Sequence, residues 1–180
     1  MILCLVGPSC AGKTTSAEYV KEGRNAAHLE ASKFVKNRYS NSTFSSSLIE
    51  FVKKEFDNKG KETFAHPVCE EISKINDDEV IISGFRTKQE VDFIKQQFGN
   101  VLVAGIYANS LLRFQRKIKR DNPKPEYQYQ DFIQKDFIEY NFGIMKVLDD
   151  ESDTLVVNEG TFNELYDLID NTVVKLIDLN

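Results

Sequence analysis

An unbroken apolar run, Ile2-Leu3-Cys4-Leu5-Val6, leads directly into Gly7-Pro8-Ser9-Cys10-Ala11-Gly12-Lys13-Thr14. The eight residues satisfy G-x-x-x-x-G-K-[ST] at every fixed position. A run this apolar, stopped by Gly-Pro, is expected to be a strand buried on both faces. From Lys13 to Lys21 the pattern turns helical, with Gly23 as its stop. Strand, glycine loop and helix in that order are the setting in which such a loop cradles phosphate. Glycine permits torsions and close approaches that a side chain would obstruct, and the turned backbone aims its N–H groups inward. The helix N-terminus adds partial positive charge. Gly7, Ser9, Cys10, Ala11, Gly12, Lys13, Thr14 and Thr15 are thus the expected nucleotide contacts. Lys13 is expected to meet the β- and γ-phosphates, and the Thr14 hydroxyl to meet Mg²⁺. Cys10 is either a thiol sensitised by the helix terminus or simply a tolerated position.

Short apolar strands alternate with amphipathic helices along the rest of the chain. Strands are expected near residues 26–30, 80–82, 101–107 and 154–157. Helical patterns cover about 32–39, 48–56, 61–75, 87–98, 110–120, 127–142 and 161–179. Pro67 should start or kink its helix, and Thr161 with Glu164 has capping-box spacing. Five strands so spaced predict one α/β domain over residues 1–180, a parallel sheet covered by helices.

With 23 Lys and Arg against 28 Asp and Glu, the net charge of −5 argues against a nucleic-acid partner. No stretch is long and apolar enough to suggest a membrane span. Three cysteines without framework spacing, and no recognisable export signal, lead us to expect a cytoplasmic protein. Composition carries no indication of oligomeric state. His28 and His66 lack neighbours at metal-ligand spacing and receive no role.

The chain resembles the P-loop kinases of nucleoside monophosphates and dephospho-coenzyme A, especially their small archaeal relatives. The resemblance rests on the phosphate loop, Ser32 to Ser40, Ser83-Gly84-Phe85-Arg86 with Glu90, and Arg113-Phe114-Gln115-Arg116. It continues through Lys135-Asp136 with Gly143-Ile144 and ends in Asn158-Glu159-Gly160-Thr161. It implies a three-layer P-loop fold with a five-stranded parallel sheet. It also implies an acceptor-binding helical segment at about 32–75 and a lid at about 112–138. ATP and Mg²⁺ would be the cofactors, and small-molecule nucleotides the partners.

Arg86 lies just past a strand, at the carboxyl end where α/β ligands bind. By the resemblance, Arg86 and Lys36 hold the acceptor's phosphate. Arg113, Arg116 and Lys135 neutralise the transferring group, and Asn158 lies in the loop that packs on the base. Arg113, Arg116 and Arg120 also share one helix face by spacing. The chain departs from the family at Ser83, where an aspartate is usual, and at Lys33, which replaces another. The expected activity is ATP-dependent transfer of a γ-phosphoryl group to a small phosphorylated acceptor. The alternative is a nucleotide-binding regulatory protein with weak catalysis or none.

Overall fold

The computed structural model describes residues 1–180. Five parallel strands, β1 (Ile2–Val6), β2 (Ala27–Glu30), β3 (Val80–Ser83), β4 (Val101–Tyr107) and β5 (Thr154–Val157), form a sheet in the order β2-β3-β1-β4-β5. In the central strand Ile2 pairs with Val80 on one side and Val101 on the other, so all five residues of β1 are buried. That explains its continuous apolar sequence.

Side chains alternate between the two faces. Leu3 and Leu5, with Ile81, Ala104 and Ile106, pack under α1 (Lys13–Arg24) and the C-terminal helix. The other face holds Ile2, Cys4, Val6, Ile82 and Val103. It is covered by α4 (Ala65–Ile72), α5 (Lys88–Gln97) and α8 (Ile144–Asp150). A smaller aromatic cluster of Phe51, Phe56, Phe64 and Phe142 joins α3 (Leu48–Lys59) to α4 and to the end of α7 (Tyr129–Phe142). Two further helices complete the frame: α2 (Ala31–Ser40) after β2, and α6 (Ser110–Asp121) after β4.

Capping explains several boundaries. Ser47–Glu50, Thr87–Glu90 and the expected Thr161–Glu164 each form a reciprocal capping box. Pro67 is the third residue of α4, where its missing N–H costs nothing. Two local expectations need correction. Gly143, at φ 117°, ends α7 but also opens α8, which sequence patterning did not suggest. The last helix is not uniform: α9 (Phe162–Ile169) passes through a π-helical stretch (Asp170–Val174) before α10 (Lys175–Asp178).

Candidate active site

The phosphate loop bridges the buried end of β1 and the start of α1. Gly7 has φ 144° and Gly12 φ 113°, and both are also sterically required. A Cβ on Gly7 would lie 2.0 Å from the Ile106 carbonyl oxygen, and one on Gly12 would lie 2.3 Å from Asn158 Nδ2. Cys10 adopts φ 62°, a left-handed conformation that costs a non-glycine residue roughly 1–2 kcal/mol. Its energetic cost is carried by the contacts around it.

Those contacts fall mainly on the loop's carbonyl oxygens. Gly7 O accepts from Lys13 Nζ (2.8 Å) and Arg86 Nη1 (3.1 Å), and Pro8 O from Lys13 Nζ (2.9 Å). Ser9 O accepts from Arg113 Nη1 (3.2 Å). Ala11 O accepts from Asn158 Nδ2 (2.7 Å) and, at 3.4 Å, from Arg116 Nη1. These oxygens are thus engaged by donors, and one loop amide, Ala11 N–H, donates to Pro8 O (3.3 Å). Helix α1 has no side-chain N-cap, so its first-turn N–H groups are available to an anion.

Lys13 is buried. Burial, reinforced by Arg86, pushes its pKa from the ordinary 10.5 down to about 7, against the pull of Glu139. A polyanion reaching the loop would offset that desolvation cost. Thr14 is exposed on the first turn of α1. No group of three or more His, Cys, Asp or Glu side chains is placed to hold a metal ion. Magnesium at nucleotide sites keeps waters and phosphate oxygens and needs only one or two protein ligands, so the Thr14 hydroxyl fits such a role.

The structure brings Arg86, Arg116 and Asn158 to the loop, as the sequence leads one to expect, but each is engaged with protein groups. Arg86 also donates to Ser9 Oγ (3.2 Å), and its own amide donates to Glu90 Oε2 (2.8 Å). Burial pushes the Glu90 carboxyl up to about 7, while the Arg86 and Thr87 amides pull it down. Asn158 is buried under the loop backbone and accepts from Arg116 Nη2 through both its carbonyl (3.0 Å) and Oδ1 (3.2 Å). Its side chain therefore supports the floor of the site.

Arg113 is placed differently from its expected role, and Lys135 and Lys36 stand away from the loop. Arg113 is fully buried and bidentate to Asp136 (2.5 Å to each oxygen). Its remaining contacts go to Ala108 O, Ser9 O and Tyr140 Oη, so its donors lock α6 to α7 and to the loop. They do not face a transferring group. Lys135 is exposed, with Nζ 5.1 Å from the Tyr127 ring centroid. Lys36 is exposed as well. Within the same segment it is Arg38 that is held in place, by Glu55 (2.6 Å) and Thr63 (3.2 Å). Arg38 borders a cleft of about 360 Å³ with Phe34, Asn37, Thr63, His66, Pro67 and Glu70.

Two arrangements escaped the sequence. Ser83, at the end of β3, lies in register with Leu5 and Glu30, and its hydroxyl is 2.9 Å from His28 Nε2. His28 Nδ1 is in turn 2.7 Å from Glu18 Oε1. His28 and Ser83 are 55 positions apart in sequence, and only the β2–β3 pairing unites them. The second is Glu139 of α7, whose Oε1 accepts from Ser9 Oγ (2.9 Å) and whose Oε2 lies 3.7 Å from Arg86 Nη1. A usable signal did exist: Asp136 and Glu139 stand three apart, on one face of the helix expected to border the site.

Comparison with known proteins bears on the fold. No family model matches the chain. It is similar to UPF0200 proteins: 32% identical over 123 residues to that of Methanococcus maripaludis, covering 67% of this chain and 66% of the relative. A second, from Staphylothermus marinus, is 32% identical over 101 residues, covering 56% and 52%. The matches thus span about half to two thirds of the length of these curated relatives. Solved structures similar to nearly the whole chain include shikimate kinase from Acinetobacter baumannii in complex with shikimate, at TM-score 0.63 and 20% identity, covering 97% of this chain and 93% of that one. A gluconokinase from Sinorhizobium meliloti gives TM-score 0.67 at 11% identity, covering 97% and 91%. The fold is that of a P-loop kinase. No helix of this P-loop kinase-like chain is long and apolar enough to cross a membrane.

Proposed function

We propose that the protein is an ATP- and Mg²⁺-dependent phosphotransferase acting on a small acceptor, with its nucleotide site at Gly7 to Thr15. The observation that carries this reading is the loop itself: carbonyls tied back by four cationic side chains and Asn158, an uncapped helix start, and a buried Lys13. Such a surface is built for phosphate oxygens and offers little to a neutral ligand.

Phosphoryl transfer is chiefly positioning and charge neutralisation. Lys13 would release its two loop carbonyls to meet the triphosphate, and Arg86 would lie on the side of the γ-phosphate nearest Ser9. Thr14 would hold Mg²⁺, which neutralises phosphate charge when bound. Arg113 and Arg116 act on the loop's shape, so their contribution to transfer is preorganisation. The single domain would be divided into the core, an acceptor segment at about 32–75 and a lid at about 112–138. Closure of the lid would exclude water from the transferring group. Names of the solved relatives add a polyol or hydroxy acid to the nucleotide-type acceptors suggested by the sequence.

The test incubates the protein with labelled ATP, Mg²⁺ and separately AMP, CMP, dephospho-CoA, shikimate and gluconate, and identifies products by mass. Acceptor-dependent ADP with a phosphorylated product is expected, and Lys13→Ala should abolish it while the fold persists. Saturable ATP binding with no product from any acceptor would support the second reading, a nucleotide-binding regulatory protein. That reading is favoured by Ser83, which lacks the carboxylate usual at the end of this strand.

A further inference from the structure

We propose that Glu139 is the carboxylate that receives the proton of the acceptor hydroxyl during transfer. The inference rests on the phosphotransferase reading above and supplies the base that Ser83 lacks.

Helix α7 delivers this side chain to the loop because the buried Arg113–Asp136 pair fixes the same helical face one turn earlier. One oxygen, Oε1, is oriented by the Ser9 hydroxyl. The other, Oε2, is shut off from solvent, has no hydrogen-bond partner, and lies beside the Arg86 guanidinium. A buried acceptor oxygen without a donor costs about 1–3 kcal/mol, more when charged, so a donor arriving there would be favoured. An attacking hydroxyl carries such a donor. It would approach the γ-phosphorus from the side bounded by Ser9 and Arg86, and Glu139 lies between them. Burial works to raise the carboxyl's pKa, but Arg86, the Ser9 hydroxyl and amide, and Lys13 outweigh it and hold it below the usual range. The group is therefore ionised and able to accept.

In the step, the acceptor oxygen forms its bond to the γ-phosphorus as the bond from phosphorus to the β,γ-bridging oxygen breaks. That electron pair leaves with ADP, and the hydroxyl proton passes to Glu139 Oε2. The loose character of such transition states asks little basicity of the carboxylate and much of its placement.

The other candidates are committed elsewhere. Ser83 is 1% exposed and its hydroxyl is engaged with His28, while Glu18 is engaged with the far side of that ring. Glu30 accepts from the Ser32 hydroxyl and faces Lys33.

The experiment measures ATP affinity and turnover of the full chain with the five acceptors named above, for wild type, Glu139→Gln, Glu139→Ala and His28→Gln. We expect Glu139→Gln to lower kcat by about 10²–10⁴-fold, the range for loss of a general base. Its ATP Kd should stay within about threefold or tighten, since a carboxylate no longer faces the γ-phosphate. Added formate should restore part of the rate in Glu139→Ala, where space is opened, and not in Glu139→Gln. Four results overturn the proposal: Glu139→Gln turnover within about threefold of wild type, binding lost in parallel with turnover, no formate rescue, or the same rate loss in His28→Gln. If wild type binds ATP but phosphorylates none of the acceptors, the phosphotransferase reading falls together with this one. If wild type transfers and only the Glu139 expectations fail, this inference falls alone.

Discussion

Between Gly7 and Gly12 the backbone carbonyls are held by groups from three distant parts of the chain: Arg86, Arg113 and Arg116 of α6, and Asn158. The segment at about 32–75, proposed to hold the acceptor, differs. Its anchors are the aromatic cluster beneath α3 and α4, whereas Lys33 and Lys36 on α2 stand in solvent. On the proposed reading, the two regions would divide the work of a kinase in physical terms. Phosphate charge is the same for every triphosphate, so its cradle can be rigid and prepaid. An acceptor must enter, be sorted by shape and leave, so its walls are tied at the base and open at the rim.

The largest effect should come from breaking the rigid half. Asp136→Ala leaves Arg113 buried and unpaired, and we expect a loss of about 3–5 kcal/mol in stability, measured by chemical denaturation. A loss under about 1 kcal/mol would mean that the pair is not what joins α6, α7 and the loop.

A smaller effect concerns Lys13. Its folded value of about 7 lies below the ordinary 10.5, so between those limits the unfolded chain binds the extra proton. Stability contributed by this group should therefore rise with pH across that window. Binding a triphosphate should return the proton, with uptake approaching one per site near pH 8–9. Calorimetry in buffers of different ionisation enthalpy measures it directly. Uptake should vanish in Lys13→Met, and equal uptake in that variant would assign it to another group.

The smallest effect belongs to the open half. Lys36→Ala should change stability by no more than about 0.5 kcal/mol, as expected of an exposed side chain. If Lys36 nevertheless binds an acceptor phosphate on closure, KM for a phosphorylated acceptor rises while that for shikimate or gluconate does not. Equal changes for both classes would remove it from the acceptor site.

Much of the fold was legible because parallel strands are written as runs: Ile2–Val6, Val80–Ile82 and Val101–Tyr107 need no partner to be recognised. The loop was legible because its chemistry is local to eight residues. Helix α8 was lost because Gly143 looks like a terminator, and one residue serving two helices leaves no trace in periodicity. Arg113 was misplaced for a related reason. A basic helix face suggests solvent or phosphate, and nothing within one turn of it announces Asp136. Its partner is 23 residues away on another helix. The Ser83–His28–Glu18 chain likewise requires the strand order, which lies in no single segment.

Lys61 has a mechanical consequence. Its Nζ donates to Phe142 O, the last residue of α7, and its own carbonyl accepts from Thr87 Oγ1, beside Arg86. Phe142 meanwhile stacks edge-on against Phe56 of α3. One residue thus joins the end of α7, which carries Glu139, to Thr87 beside Arg86, and the aromatic cluster of α3 packs on the same junction. Through Lys61 and Phe142, α3, the end of α7 and the start of α5 are therefore tied into one unit.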